Sequence, residues 1–146
     1  MTLENEPTEP IIPERVFVSG CPFCELSADD LVDQNQHAVA IPDRYPLSPG
    51  HILVIPRRHV VSPFDLHPDE LASVWSLVAQ IRRSLAAEFV PDAFTIGLND
   101  GAAAGQTIMH AHVHVIPRWT GDVADPRGGV RWVIPAQAPY WDVPTE

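Results

Sequence analysis

Apolar residues recur at spacings of three and four from Leu71 through Val74, Trp75, Val78, Ile81 and Leu85 to Phe89, the period of a helix that buries one face. Ahead of them, Pro68, Asp69 and Glu70 place a proline in the first turn and carboxylates at the positive end of the helix dipole, and Pro91 follows the last repeat. The pattern predicts one long helix with Arg82 and Arg83 on its solvated side. Elsewhere the apolar runs are short and rich in β-branched residues: Val16–Val18, His37–Ile41, His51–Ile55, Phe94–Leu98 and Met109–Ile116. Pro42, Asp43, Pro46, Pro49 and Gly50 mark a turn between the second and third runs, and Asn99 to Thr107 joins the last two through Gly101 and Gly105. Ser27 with Asp30 three residues on has the form of a capping box and predicts a short N-terminal helix. Short strands flanking one long helix give an α+β domain.

The 146 residues suit one domain. Residues 1 to 14 hold Glu4, Glu6, Glu9 and Glu14 among Pro7, Pro10 and Pro13, which reads as a mobile acidic leader. The domain is expected over 15–120 and an irregular tail, anchored by Trp132, Tyr140 and Trp141, over 121–146. No apolar run approaches the roughly 18 residues of a membrane helix, and the start lacks the basic and apolar regions of a signal peptide, so the expected location is the cytoplasm. A formal charge of −10 argues against nucleic acid as a partner. All nine basic residues are arginine; of these, Arg118 at the end of the domain and Arg127 and Arg131 in the tail are candidates for contacting a polyphosphate. Two cysteines, Cys21 and Cys24, are too few for a disulfide framework and suggest metal or redox chemistry.

The most informative stretch is His110-Ala111-His112-Val113-His114-Val115-Ile116. On a strand, side chains at 110, 112 and 114 share one face while Ala111, Val113 and Val115 share the other. Positions i and i+4 on a strand lie about 13 Å apart, so one metal ion is not held by all three, though two adjacent members remain possible ligands. The other use of such a row is nucleophilic catalysis at phosphorus, in which one neutral imidazole attacks and its neighbours donate to phosphate oxygens. The middle residue, His112, has a donor on each side. Gly101 and Gly105 in the preceding loop let main-chain amides approach an anion, and Gln106 and Thr107 add polar groups.

Residues 99 to 118, N-D-G-A-A-A-G-Q-T-I-M-H-A-H-V-H-V-I-P-R, resemble the signature of the histidine triad (HIT) superfamily, His-φ-His-φ-His-φ-φ with φ apolar. Residues 44 to 58, R-Y-P-L-S-P-G-H-I-L-V-I-P-R-R, are similar to the other recognisable block of that family, and D-L-H-P-D-E-L before the helix resembles its fragile histidine triad branch. The resemblance implies an α+β fold with an antiparallel sheet, a homodimer, and a purine nucleotide or dinucleotide bound across the sheet. It carries over His112 as nucleophile, His114 and His51 as phosphate-side partners, and Asn99, Gly105, Gln106 and Thr107 as groups around the phosphates. Asp43 falls where the family holds the ribose hydroxyls, and Phe23 and Leu26, with Ile41, fall where it lines the base pocket. The implied reaction is cleavage at the α-phosphorus through a nucleotidyl-histidine, without organic cofactor or catalytic metal. Pro117-Arg118-Trp119-Thr120-Gly121-Asp122 is similar to a segment of dinucleotide phosphorylases of the superfamily, which leaves phosphate open as an alternative acceptor to water. A nucleotide-binding signalling module without turnover is a further alternative.

Cys21-Pro22-Phe23-Cys24 resembles both the glutaredoxin motif and the C-x-x-C of bacterial HIT proteins and of galactose-1-phosphate uridylyltransferase. The first resemblance implies a thiol oxidoreductase. The second implies a structural zinc held with His59 and His110, which would remove His110 from catalysis.

Overall fold

The computed structural model describes residues 16–141, so the expected leader at 1–14 and the end of the tail lie outside the described residues. Five strands form one antiparallel sheet: β1 (Asp33–Gln34), β2 (Ala38–Pro42), β3 (Ile52–Pro56), β4 (Ala93–Gly97) and β5 (Val113–Arg118), in the order β1-β2-β3-β5-β4. One long helix, α1 (Pro68–Phe89), connects β3 to β4. The α+β architecture expected from the sequence is the one observed.

Helix α1 begins at Pro68 because Glu70 reaches back to accept the His67 N–H (2.9 Å), and Glu70 is itself held by Arg58 (Nε–Oε1 3.0 Å). Its buried stripe is Val74, Leu77, Val78, Ile81 and Leu85. These pack on Ala38, Ala40, Ile52, Val54, Val113 and Val115, which project from one face of the sheet. Leu77, outside the expected stripe, joins the core, while Trp75, within that stripe, is 42% exposed. Each residue advances about 100° around a helix, so Trp75 sits a quarter-turn off the face that Val74 centres.

The opposite face of the sheet carries a second apolar cluster of Val39, Ile41, Leu53 and Ile55, covered by Cys21, Phe23 and Cys24. The alternating residues of β2 and β3 thus divide between two cores, which is why both strands are buried almost throughout.

Three local expectations shift. Val16–Val18 forms no strand, since it has no ladder partner: Val16 accepts one bond from the His59 N–H (3.0 Å) and the Val18 N–H goes to Cys24 Sγ (3.4 Å). The helix expected after Ser27 is a single 3-10 turn, Ala28–Asp30. The last strand starts at Val113 rather than Met109. Its ladder with β3 ends at the Val54–Val113 pair; two residues on, Pro56 has no N–H to offer and its carbonyl is occupied by His110 Nε2 (2.8 Å).

Gly50 is the tightest point of the scaffold. It has φ +82°, and a Cβ there would stand 3.0 Å from the Phe89 ring and 3.2 Å from Leu85. The last turns of α1 therefore press on the residue that precedes His51. We expect Gly50→Ala to destabilise the fold by about 1–3 kcal/mol, from left-handed backbone strain plus overpacking. Urea unfolding of the variant beside the parent protein measures it.

Candidate active site

The cluster face of the sheet opens into a cavity of about 760 Å³ whose walls include Phe23, Leu26, Ile41, Asp43, His51, Asn99, Gly105, Thr107, His112 and His114. The structure thus brings together most of the residues that the sequence nominated for nucleotide contact. Gln106 is the exception. Its Oε1 accepts the Gly101 N–H (2.8 Å) and its Nε2 donates to the carbonyls of Val61 (2.9 Å) and Ile108 (3.1 Å), so its buried side chain braces the glycine loop and does not line the cavity. The loop makes a 3-10 turn at Ala102–Ala104 between two glycines with positive φ, Gly101 (+94°) and Gly105 (+98°). Arg44, Tyr45, Leu47 and Ile108 also line the cavity and were not foreseen. The exposed apolar side chains of Tyr45 and Leu47, beside an aspartate and a histidine, were the available signal.

His110, His112 and His114 do separate chemical work, although they alternate on one chain segment. His110 is fully buried: its Nε2 donates to the Pro56 carbonyl, which leaves a lone pair on Nδ1, 3.5 Å from Cys21 Sγ and 3.6 Å from Cys24 Sγ. The backbone carbonyl of the same residue accepts the proton of His112 Nδ1 (2.8 Å). A neutral imidazole has one N–H, so His112 keeps an unprotonated Nε2. Its ring packs edge-on against Phe23 (5.3 Å between centroids) and beside His114 (5.2 Å).

His51 stands just before β3 and His114 lies on β5, where Leu53 is its partner across the ladder. Their rings meet at His51 Nε2 and His114 Nδ1, 2.9 Å apart, and Asp43 Oδ2 lies 3.4 Å from the former and 3.8 Å from the latter. Burial pushes the pKa of His114 down to about 4, and the neighbouring His112 and His51 add to this while Asp43 opposes it. Burial likewise lowers His51 against the pull of Asp43.

Cys21, Cys24, His59 and His110 form a second constellation that shares His110 with the histidine row, with Cys24 Sγ 3.4 Å from His59 Nδ1 and all four donor atoms within 4.8 Å of one another. For zinc held tetrahedrally, with bonds of roughly 2.3 Å to sulfur and 2.0–2.1 Å to nitrogen, neighbouring sulfur and nitrogen ligands stand about 3.5 Å apart. The observed separations fit, and the Val18 N–H donating to Cys24 Sγ suits a thiolate. The four residues form a set able to hold a metal ion.

The tail arginines are engaged elsewhere. Arg118 grips Asp122 through Nε (2.6 Å) and Nη2 (2.8 Å) and donates to Thr95 (3.0 Å). Arg127 pairs with Asp125 (2.8 Å) under the Trp141 ring, and Arg131 caps tail carbonyls under Tyr140. None of the three lines the cavity. His37 pairs with Asp69 at 3.7 Å, away from both constellations.

The profile of the HIT domain matches residues 26–121. The chain belongs to the HIT family. A bis(5'-nucleosyl)-tetraphosphatase (asymmetrical) of Schizosaccharomyces pombe is 42% identical over 114 residues, a stretch that covers 78% of this chain and 60% of the relative. The adenylylsulfatase HINT3 of Arabidopsis thaliana is 34% identical over 104 residues, covering 68% of this chain and 53% of that protein. Among solved structures, a zinc-bound histidine triad family protein from Mycobacterium smegmatis superposes with a TM-score of 0.65 at 33% identity, over 73% of this HIT protein and 80% of that chain. Among the described residues, no helix is long and apolar enough to cross a membrane.

The depressed pKa of His114 makes a pH prediction. The unfolded chain takes up a proton near the ordinary value of 6.5, whereas the folded site resists until about 4. The stabilisation by neutral His114 is therefore complete above about 6.5 and lost as pH falls through about 4. We expect the unfolding free energy of the parent protein to fall more steeply across that window than that of His114→Gln. Urea unfolding at a series of pH values compares the slopes.

Proposed function

We propose that this HIT protein is a nucleotidyl hydrolase or transferase that cleaves purine nucleotide conjugates at the α-phosphate through a covalent intermediate on His112. The observation that carries this reading is the hydrogen bond from His112 Nδ1 to the His110 carbonyl, which leaves the Nε2 lone pair of a half-buried imidazole in a nucleotide-sized cavity. His112 Nε2 attacks phosphorus and the bond to the leaving group breaks, the leaving group departing with its electron pair. The resulting imidazolium is stabilised through its Nδ1–H by the same carbonyl. Water then attacks phosphorus and gives up a proton to solvent, the P–N bond breaks with its electron pair returning to Nε2, and nucleoside monophosphate departs from a neutral His112. In this reading Thr107 and the His114 ring contact phosphate oxygens, Asp43 the ribose, and Phe23, Leu26 and Ile41 the base, while the Gly105 and Gln106 amides stay bonded to the Ala102 and Gly101 carbonyls and hold the turn.

Two features bear on the substrate. The relatives named a tetraphosphatase and an adenylylsulfatase support dinucleoside polyphosphates and AMP conjugates as classes to test. The cavity is lined by one guanidinium, Arg44, against the carboxylates of Glu25, Asp30 and Asp43. Such a lining has little to neutralise a long polyphosphate, which favours conjugates with a single phosphate over diadenosine tetraphosphate.

We also infer that Cys21, Cys24, His59 and His110 hold structural zinc. When bound, the ion supplies cross-linking energy and no reaction chemistry. The buried thiols facing two imidazoles fit this better than an exposed redox pair. The homodimer implied by the resemblance to HIT proteins stays part of this reading; the edge strands β1 and β4 each have one strand neighbour in the sheet.

His112→Ala should lower turnover by about 1,000-fold or more while AMP still binds, as read by product analysis and calorimetry on a panel of phosphoramidate, adenylyl sulfate and diadenosine tetraphosphate, with and without phosphate. Normal turnover in that variant removes the nucleophile assignment. Purified parent protein should contain about one zinc per chain by elemental analysis, and Cys24→Ser should contain none.

A further inference from the structure

We propose that Glu25 and Arg44 read the edge of the base and make the site selective for guanine over adenine. The inference deepens the function proposed above and rests on its placement of a nucleotide in the cavity; it names the base, which that reading leaves as any purine.

The apolar walls do not make this choice. Phe23, Leu26 and Ile41 meet the faces of a flat ring, and every base has such a face. One purine is told from another by the donors and acceptors on its edge. Two groups able to read an edge stand among those walls. Glu25 lies in the chain between Phe23 and Leu26, Arg44 follows Ile41 and Asp43, and all of these line the one cavity. Thr107, His112 and His114, the groups at the phosphate, come from other segments. With Asp43 at the ribose, Glu25 and Arg44 fall at the base end of the bound nucleotide.

The bonding of these two side chains favours the same role. Glu25 Oε1 accepts the Gly20 N–H at 2.7 Å, which anchors the carboxylate by one oxygen and leaves Oε2 without a donor among the described residues. Arg44 has no ion pair and no hydrogen bond among the described residues, whereas Arg58 holds Glu70 and Arg118 holds Asp122. Asp30, also in the wall, spends Oδ2 on the Ser27 amide (2.7 Å) and hydroxyl (2.8 Å). On the loop that carries Arg44, the Tyr45 N–H goes to Asp43 Oδ1 (2.8 Å) and the Leu47 N–H to His51 Nδ1 (3.1 Å), so these amides are not available to a base. The reading groups are therefore the two side chains.

Guanine presents the acceptors O6 and N7 along one edge and the donors N1–H and N2–H2 along the next. A guanidinium donates to the first pair and a carboxylate accepts from the second. Adenine reverses both contacts: its N6 amine faces the donors of Arg44, and its N1 lone pair faces the acceptors of Glu25. Neither mismatch has a remedy, because arginine has no acceptor and a carboxylate no donor. The selectivity comes as much from rejecting adenine as from attracting guanine. Both side chains are exposed, which keeps the preference near about tenfold, the low end for such pairs.

The test is calorimetry of GMP, IMP and AMP with the parent protein, Glu25→Gln and Arg44→Leu at one ionic strength. The parent should bind GMP about tenfold more tightly than AMP, with IMP between them because it keeps O6 and N1–H and lacks the N2 amine. Glu25→Gln keeps a carbonyl for the Gly20 N–H and turns an amide N–H to the base in place of Oε2, so the preference for GMP should fall to about one or reverse. Arg44→Leu should lower it by about threefold or more. A parent preference below about threefold, or one that Glu25→Gln leaves within about twofold of the parent, overturns the inference. Equal binding of GMP and AMP by a parent whose turnover still needs His112 removes this inference alone. Selective binding of GMP by a parent that cleaves no conjugate removes the proposed chemistry alone, and failure of all three nucleotides to bind removes both.

Discussion

The arrangement of the site depends on one fully buried imidazole. His110 is held at three points: Nε2 on the Pro56 carbonyl, Nδ1 between two thiols, and its own carbonyl on the ring of His112. A buried polar group that loses a partner costs roughly 1–3 kcal/mol, so each of these bonds helps to enforce the others. The thiol cluster and the ring of His112 are thereby joined through a single residue. The segment Cys21–Cys24 is tied to β3 and β5 by the same contacts, and Phe23 within it touches the rings of both His110 and His112.

The sheet serves two masters, which explains the compactness of the site. One face of β2, β3 and β5 buries apolar residues under α1, and the other presents the aliphatic residues of β2 and β3 beside the imidazoles of His112 and His114. The helix fixes the height of the sheet, and through Phe89 and Leu85 against Gly50 it also fixes the loop that delivers His51.

Much of this was legible in the sequence, for identifiable reasons. The period of α1, the alternation of Val113 and Val115 with histidines, and the C-x-x-C spacing are local patterns that report directly on which side chains share a face. The strand at Val16–Val18 failed because β propensity cannot reveal the absence of a partner strand. The early start assigned to β5 failed because the claim of His110 on the Pro56 carbonyl is a tertiary contact. Gln106 was nominated for its chemistry, but its amide is consumed by the loop it stands in. The Leu47 N–H and the Pro56 carbonyl were invisible for a simpler reason: they are backbone groups, and no residue type announces them.

The loop between β2 and β3 divides its labour along its length. At its base, Gly50 has a positive φ, and a methyl group there would crowd the side chains of Phe89 and Leu85. At its tip, the side chains of Tyr45 and Leu47 are 80% and 77% exposed and face the mouth of the cavity, while the backbone of Leu47 is pinned to His51. Side chains at the tip are thus free to change where the main chain is not. An evolving or engineered version of this protein has a rim on which selectivity can drift without disturbing the imidazoles beneath it.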